Sequence, residues 1–279
     1  MRSIKHRRMP LLMGLLAAMT VSVVAGSSGR AQAPPRLREG FDVVVPAAPA
    51  GEEITTQSNL WMLEVALKPM RMRWVDVTNP ATGETTRELI WYQVYKAVHR
   101  PLPRKQDSSD TKPVNDEDVP PPPMFVPEFT LVTVDEGGEK VYQDVILPEA
   151  QAAINRRERR VYKNPVEIIS ELPPPTPEGE EAENPLYGVA IWKAVDPDTD
   201  YFTVYMTGFS NGYQLGKTPQ GETLAQRKTI MQEYWRPGDR FEATEIEIRR
   251  RGAPRWIYRA DENPITVLGS VPTQPAATP

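Results

Sequence analysis

The 279-residue sequence predicts a mostly β protein, folded as a β-sandwich with one short helix near residues 148–160. Three observations predict it. Short runs rich in Val, Ile, Thr, Tyr, Phe and Trp recur along the chain. Clusters of turn-forming residues separate them at regular intervals, the pattern of stacked antiparallel sheets. One stretch alone carries both the start and the stop signals of a helix.

The first 33 residues stand apart. Arg2, Lys5, Arg7 and Arg8 precede an apolar run from Met9 to Ala25, which leads into small residues and the triplet Ala31-Gln32-Ala33. Basic start, apolar middle and small-residue end make up a secretory signal, so the chain is expected to be exported, to the periplasm, cell envelope or medium. The apolar run is near the lower limit of a membrane span, about 17 residues, so a retained anchor is the alternative. No later stretch is apolar enough to span a bilayer. Residues 34–59 read as an N-terminal tether, with Phe41 to Val45 a possible first strand.

Residues 60–160 are expected to form a first β unit. Leu60 to Leu67 is one strand, and Met70 to Val77 pairs with Glu88 to Val98 across the turn-rich Thr78–Glu84. Ile90-Trp91-Tyr92-Gln93-Val94-Tyr95 has the aromatic and β-branched bias of a buried strand. The sequence holds 30 prolines, about twice the usual share. Proline has no ladder donor, so its clusters mark loops at 101–123 and 173–185 and a flexible tail at 263–279. Phe129 to Val134 and Val141 to Leu147 flank Asp135-Glu136-Gly137-Gly138 as a second hairpin. Pro148 then opens the helix, where proline at the first turn, Glu149 near the N-terminus and arginines at the C-terminal end all suit the helix dipole.

Residues 161–262 are expected to form a second β unit. Its strands are Val161 to Leu172, Leu186 to Val195, Tyr201 to Thr207, Thr229 to Trp235, Phe241 to Arg249 and Arg255 to Arg259, with Arg236-Pro237-Gly238-Asp239 as a turn. A repeat links the units. Trp91, Lys96-Ala97-Val98, Phe129-Thr130-Leu131 and Tyr142-Gln143 recur in order as Trp192, Lys193-Ala194-Val195, Phe202-Thr203-Val204 and Tyr213-Gln214. Read as duplication, it gives two related sandwiches joined near 161–185.

Ile90 to Tyr95, followed by Phe125-Val126-Pro127-Glu128-Phe129-Thr130-Leu131 and Tyr142-Gln143-Asp144, resembles uncharacterised exported bacterial proteins of planctomycete type. More loosely it is similar to immunoglobulin-like modules of bacterial surface proteins. The resemblance spans about residues 60–150, with a weaker echo at 186–260. It implies an immunoglobulin-like fold and an exported location, and it brings no catalytic residues.

Composition limits the chemistry. Removing residues 1–33 takes five of the 33 basic residues and none of the 37 acids, leaving 28 against 37 and a net charge of −9. Nucleic acid is therefore not expected as a partner, because phosphate contacts need a basic surface. With no cysteine, disulfides, thiol nucleophiles and cysteine-ligated zinc are excluded. Beyond residue 33 the chain has one histidine, His99, and no Gly-x-Ser-x-Gly elbow, phosphate-cradling loop or dinucleotide fingerprint. No catalytic residue and no cofactor is expected.

Three groups of residues are candidates for binding. Asp196, Asp198 and Asp200 alternate as calcium ligands do, although Tyr201 and Thr207 break the EF-hand pattern. Trp74 and Trp256, each beside arginine, are candidates for an exposed binding surface, whereas Trp91 and Trp192 sit in apolar runs and are expected in the core. Two basic clusters stand against the acidic background. Arg156, Arg157, Arg159 and Arg160 form one; Arg249, Arg250, Arg251, Arg255 and Arg259 form the other. Either suits an anionic envelope polysaccharide or the acidic surface of an envelope protein, or protects a strand edge from aggregation. The expected function is non-catalytic binding or scaffolding in the envelope. The alternatives are a secreted polysaccharide hydrolase using paired carboxylates and a carbohydrate-binding module.

Overall fold

Trp91 and Trp192, 101 positions apart in sequence, lie directly opposite each other on neighbouring antiparallel strands. That pairing organises the computed structural model, which describes residues 40–103, 122–135, 138–196, 198–217, 221, 223–236 and 248–260. The signal-like segment 1–33, most of the proline-rich loop 101–123 and the tail 263–279 lie outside the described residues.

The chain order is β1 (Val43–Val45), α1 (Gly51–Thr56), β2 (Leu63–Leu67), β3 (Arg71–Thr78), β4 (Thr85–His99), β5 (Met124–Phe125), β6 (Glu128–Asp135), β7 (Gly138–Gln143), α2 (Pro148–Glu158), β8 (Ser170–Glu171), β9 (Leu186–Lys193), β10 (Tyr201–Thr207), β11 (Tyr213–Lys217), β12 (Thr223–Trp235) and β13 (Arg249–Ala260). The protein is mostly β, as expected, and its strands form two large antiparallel sheets. In the first, the long β4 pairs β2 and β3 in turn along one edge and β9 along the other, while β1 extends β2. In the second, β12 pairs β13 on one edge and β10 and β11 on the other, followed by β6 and β7. β5 and β8 form a separate two-stranded pair.

The boundary expected near residue 160 does not divide this architecture. β9 belongs to the sheet of β2–β4, and β6 and β7 belong to the sheet of β10–β13. The repeated elements meet each other instead. Trp91 faces Trp192 across β4 and β9, and Leu131 faces Val204 across β6 and β10. The inter-sheet ring contacts recur in the same sense, Trp91 to Phe202 at 5.0 Å and Trp192 to Phe129 at 6.4 Å. The two halves are thus interleaved about an approximate two-fold axis. The match of Tyr142 with Tyr213 does not follow it, because β7 flanks β6 as β12, and not β11, flanks β10.

Other expectations shift locally. Within the described part of the tether, from Gly40, β1 pairs with β2 and α1 follows. Val161 to Leu172 is mostly turn and holds only the two residues of β8, because Asn164-Pro165 breaks the run: Asn164 Oδ1 accepts the N–H groups of Val166 and Glu167 as a turn cap. β11 is a strand the sequence pattern does not mark. The helix is where it was expected, with Pro148 in the first turn and Arg159 closing it in the left-handed conformation at φ 55°.

The core lies between the sheets. Trp91, Tyr95, Phe129, Phe202, Phe209, Trp192 and Tyr234 fill it. Gly188 is required there, because a Cβ would come within 2.2 Å of the Tyr95 ring that lies across it. One polar chain crosses this core: Tyr234 Oη donates to Gln93 Oε1 at 2.8 Å, and Gln93 Nε2 donates to the Lys68 carbonyl at 2.7 Å.

The first sheet is buried on both faces, which is why Ile90 to Tyr95 reads as a run broken only by Gln93 and not as an alternation. Its outer side chains, including Val75, Ile90, Tyr92, Val94 and Ile191, pack under Ala150, Ala153 and Ile154 of α2 and under Tyr162. Two glutamates fasten the covering elements through three ion pairs. Glu158 at the end of α2 receives Lys68 Nζ at 2.8 Å and Arg71 at 3.1 Å. Glu53 of α1 receives Lys228 and the Tyr258 hydroxyl of the second sheet.

Candidate functional site

The second sheet presents a different outer face. Side chains alternate along a strand, so β13 splits its basic cluster in two. Arg250 pairs in register with Tyr234 and turns inward, where it meets Asp42 and donates to the Lys68 carbonyl at 2.7 Å. Trp256 turns inward as well; its Nε1 donates to the Pro46 carbonyl at 2.9 Å and its ring packs against the core. These two residues are structural fastenings, contrary to the expectation that they line a binding surface.

Arg249, Arg251, Arg255 and Arg259 occupy the opposite face. Their cross-strand partners on β12 are Trp235, Glu233, Met231 and Arg227. A bulge opposite Gln232 contains Gly252 at φ 75°, the left-handed region that glycine enters without strain, and Pro254, which an edge strand tolerates. Arg251 and Arg255 still share one face across it.

Three of these guanidinium groups lie against aromatic rings. Arg249 is 5.5 Å from the Trp235 ring, Arg251 5.6 Å from Tyr201 and Arg259 4.2 Å from Tyr205. The rings belong to β12 and β10, on the face opposite the buried Phe202, Val204 and Tyr234. Arg249, Arg251 and Arg259 make no hydrogen bond or ion pair among the described residues, so their N–H forks remain available. Arg255 is engaged by Glu233 at 3.3 Å, and nearby Arg227 by Glu128 at 2.6 Å. A guanidinium held over a ring keeps its forked donors, the group that grips a carboxylate or sulfate through two bonds. Tyr201 is half exposed beside it. Tyr201, Tyr205 and Trp235 are functional candidates that sequence reasoning missed; alternation within their strands was the available signal, but which strands neighbour β13 was not visible.

The other basic cluster lies on the helix-covered side. Trp74 and Arg156 line, with Arg73, Asp76 and Glu149, an open groove of about 430 Å³ between β3 and α2. Arg87 stacks on Trp74 at 5.7 Å. Arg157 is exposed, and the Arg160 guanidinium lies over the Tyr187 ring at 4.0 Å. The groove's two arginines and two acids balance in formal charge, so it does not single out an ion of either sign.

The aspartates do not assemble a calcium site. Asp196 is held by Lys140 at 2.8 Å, which lowers its pKa, and it accepts the Asp198 N–H at 3.1 Å as a turn cap. The Asp200 carbonyl accepts the Arg236 N–H. Among the described residues no three carboxylates or imidazoles converge on a point. His99 donates through Nδ1 to the Pro173 carbonyl at 2.8 Å. Arg100 next to it binds Glu64 and the carbonyls of Thr176, Pro177 and Glu180, fastening the acidic loop 173–185.

One further group is perturbed. Burial pushes the Asp144 carboxyl up to about 6, with the nearby charge of Glu128 adding to it and backbone N–H groups opposing. It lies where the chain leaves β7 and crosses to the first sheet, the next residue donating from Val145 N to the Ile191 carbonyl.

Fold and surface together define a two-sheet antiparallel protein with one capped face and one open face of ring-stacked arginines. No protein-family model, curated protein or solved structure matches the chain. Among the described residues no helix is long and apolar enough to cross a membrane.

Proposed function

We propose that this protein is an exported, non-catalytic binding module of the bacterial cell envelope, which holds an envelope component on the outer face of its second sheet. The observation that carries this reading is the set of three guanidinium groups stacked on Trp235, Tyr201 and Tyr205 with their donor edges unused among the described residues. The secretory pattern of residues 1–33 supports the location. The immunoglobulin-like resemblance fits the same role, since such modules act through their surfaces.

Sedimentation with washed envelope fragments tests it. The full-length wild-type protein is expected to pellet with the fragments, and less so as salt rises. A triple variant, Arg249→Gln with Arg251→Gln and Arg259→Gln, is expected to stay in solution while melting like the wild type. Equal pelleting of both proteins would overturn the proposal. So would recovery of the unprocessed chain in the cytoplasm after cell fractionation.

A further inference from the structure

We infer that the component bound by this face is a linear acidic polysaccharide, one whose sugars carry carboxylates at intervals, lying along β13. The inference rests on the binding role proposed above and adds the class of ligand.

Three features support it. The first is the layout of charge. Alternate residues on a strand project from the same face at intervals of about 7 Å, and the row from Arg249 to Arg259 extends for about 30 Å. Its guanidinium groups therefore form a line, which suits an extended chain better than a compact ligand.

The second is charge density. Four arginines spread over that length are interrupted by the carboxylates of Glu233 and Glu128, on a body whose net charge is negative. Double-stranded nucleic acid presents a charge about every 1.7 Å and would meet too few cations and two repelling acids. An anionic bilayer would press the same two acids against its own charge. A polymer with one carboxylate per sugar or per disaccharide is sparse enough in charge for arginines that lie roughly 7 to 13 Å apart along the strand.

The third is the rings. Tyr201 is half exposed, and Tyr205 and Trp235 lie partly open between the guanidinium groups. Aromatic edges and faces next to forked donors provide an apolar contact for sugar C–H groups beside each carboxylate contact. The ring contacts of Arg249, Arg251 and Arg259 also restrain those side chains before the ligand arrives, so less side-chain freedom is lost on binding.

The experiment uses the full-length protein and polygalacturonate, a uronate polymer, in affinity electrophoresis and calorimetry. Dextran, duplex DNA and phosphatidylglycerol vesicles serve as comparison ligands. Polygalacturonate is expected to bind, dextran not, and salt to weaken the complex. Arg251→Gln and Arg259→Gln are each expected to weaken it about three- to tenfold, and Lys193→Gln, on the first sheet, to leave it unchanged. Arg251→Lys keeps the charge but not the flat fork and is expected to fall between wild type and Arg251→Gln. Thermal melting of each variant establishes that the fold is intact. If envelope sedimentation depends on Arg249, Arg251 and Arg259 but polygalacturonate does not bind, the polysaccharide inference is overturned and the binding face stands. Binding of DNA or vesicles in preference to polygalacturonate overturns it too, as does polygalacturonate binding that survives the triple variant. If sedimentation is indifferent to these arginines, the binding role itself fails.

Discussion

The two outer faces of the sandwich are built from the same kind of antiparallel sheet, and they meet opposite fates. The face of β3, β4 and β9 carries Val75, Ile90, Tyr92, Val94 and Ile191, and it is closed by α2 and Tyr162. The face of β13, β12 and β10 carries arginines alternating with Trp235, Tyr201 and Tyr205, and no helix of the described residues packs on it. On the first, side chains are chosen for volume and its charges are paired with one another. On the second, rings and charges hold one another in place while remaining in contact with solvent. The difference teaches where stability and recognition reside: a substitution on the covered face should be read in the melting temperature, and one on the open face in binding.

The largest expected effect tests the covered face. Glu158→Gln leaves the Lys68 ammonium, whose side chain is 8% exposed, without its anion. Removing one member of a buried pair costs about 3–5 kcal/mol, to be measured by denaturant unfolding. The pH dependence carries a sign. Burial depresses the Lys68 pKa, but the Glu158 and Tyr162 contacts outweigh it and raise it above its ordinary value of 10.5. A raised lysine contributes stability that is fully present below the unfolded value and is lost as pH rises through the folded value. Wild type should therefore lose stability above pH 10.5, and Glu158→Gln should have lost this contribution already at neutral pH. A melting temperature within a degree of wild type would show that the helix does not depend on this pair.

Next in size is Gly188→Ala, at the seam where β4 meets β9. Its Cβ would lie within 2.2 Å of the Tyr95 ring, which is itself held between Phe129 at 5.1 Å and Phe209 at 5.3 Å. Overpacking of this kind costs about 1–3 kcal/mol. Tyr95→Ala in the same chain should recover part of the loss from Gly188→Ala, since it removes the atoms in conflict; additive losses would place the strain elsewhere.

Much of the covered face was legible in the sequence, and little of the open one. Runs such as Ile90 to Tyr95 announce burial on both sides because every residue in them is apolar or aromatic except Gln93, and the helix signals at Pro148, Glu149 and the following arginines are local. Which strand neighbours which is not local. The repeat around Trp91 and Trp192 was visible, yet adjacent pairing of the repeats and separate sandwiches leave the same trace in sequence, and only the register of β4 against β9 separates them. The open face is a case of the same limit. Nothing in Arg249, Arg250 and Arg251 says that the middle one turns inward to Asp42, or that Arg251 reaches the Tyr201 ring two strands away, because those facts belong to sheet order and register. Trp256 looked like a surface residue beside Arg255 for the same reason, while its indole donates to Pro46.

A smaller effect, of opposite sign, is expected at Asp144, where the chain passes between the two sheets. Its carboxyl is raised from 3.8 to about 6, chiefly by burial. The folded state then binds the proton more tightly than the unfolded state, so stability falls as pH rises from about 4 to about 6 and stays lower above that. Asp144→Asn removes the buried charge and is expected to stabilise the protein at pH 7 by about 1–2 kcal/mol and to flatten its pH profile between 4 and 6. Melting scans across that window decide it, and a variant less stable than wild type at pH 7 would mean that the carboxylate has a partner worth more than its desolvation.

The smallest expected effect on stability is the one that sharpens the comparison most. Arg251→Gln and Tyr201→Ala dismantle one guanidinium–ring contact on the open face, in which Tyr201 is 50% exposed. Exposed cation–π contacts contribute about 0.5–1 kcal/mol, and substitutions at exposed sites usually fall within about 0.5 kcal/mol of wild type. The two single variants and the double variant should thus unfold close to wild type, with a coupling energy of no more than about 1 kcal/mol. Envelope sedimentation should nonetheless fall in both single variants, and in Tyr201→Ala despite its unchanged charge, because the guanidinium would have lost the ring that orients it. If Tyr201→Ala bound as wild type while Arg251→Gln did not, the face would attract its ligand by charge alone and the rings would be protection for an exposed sheet. If both variants unfolded several kcal/mol more easily, the open face would be as structural as the covered one, and the contrast between them would disappear.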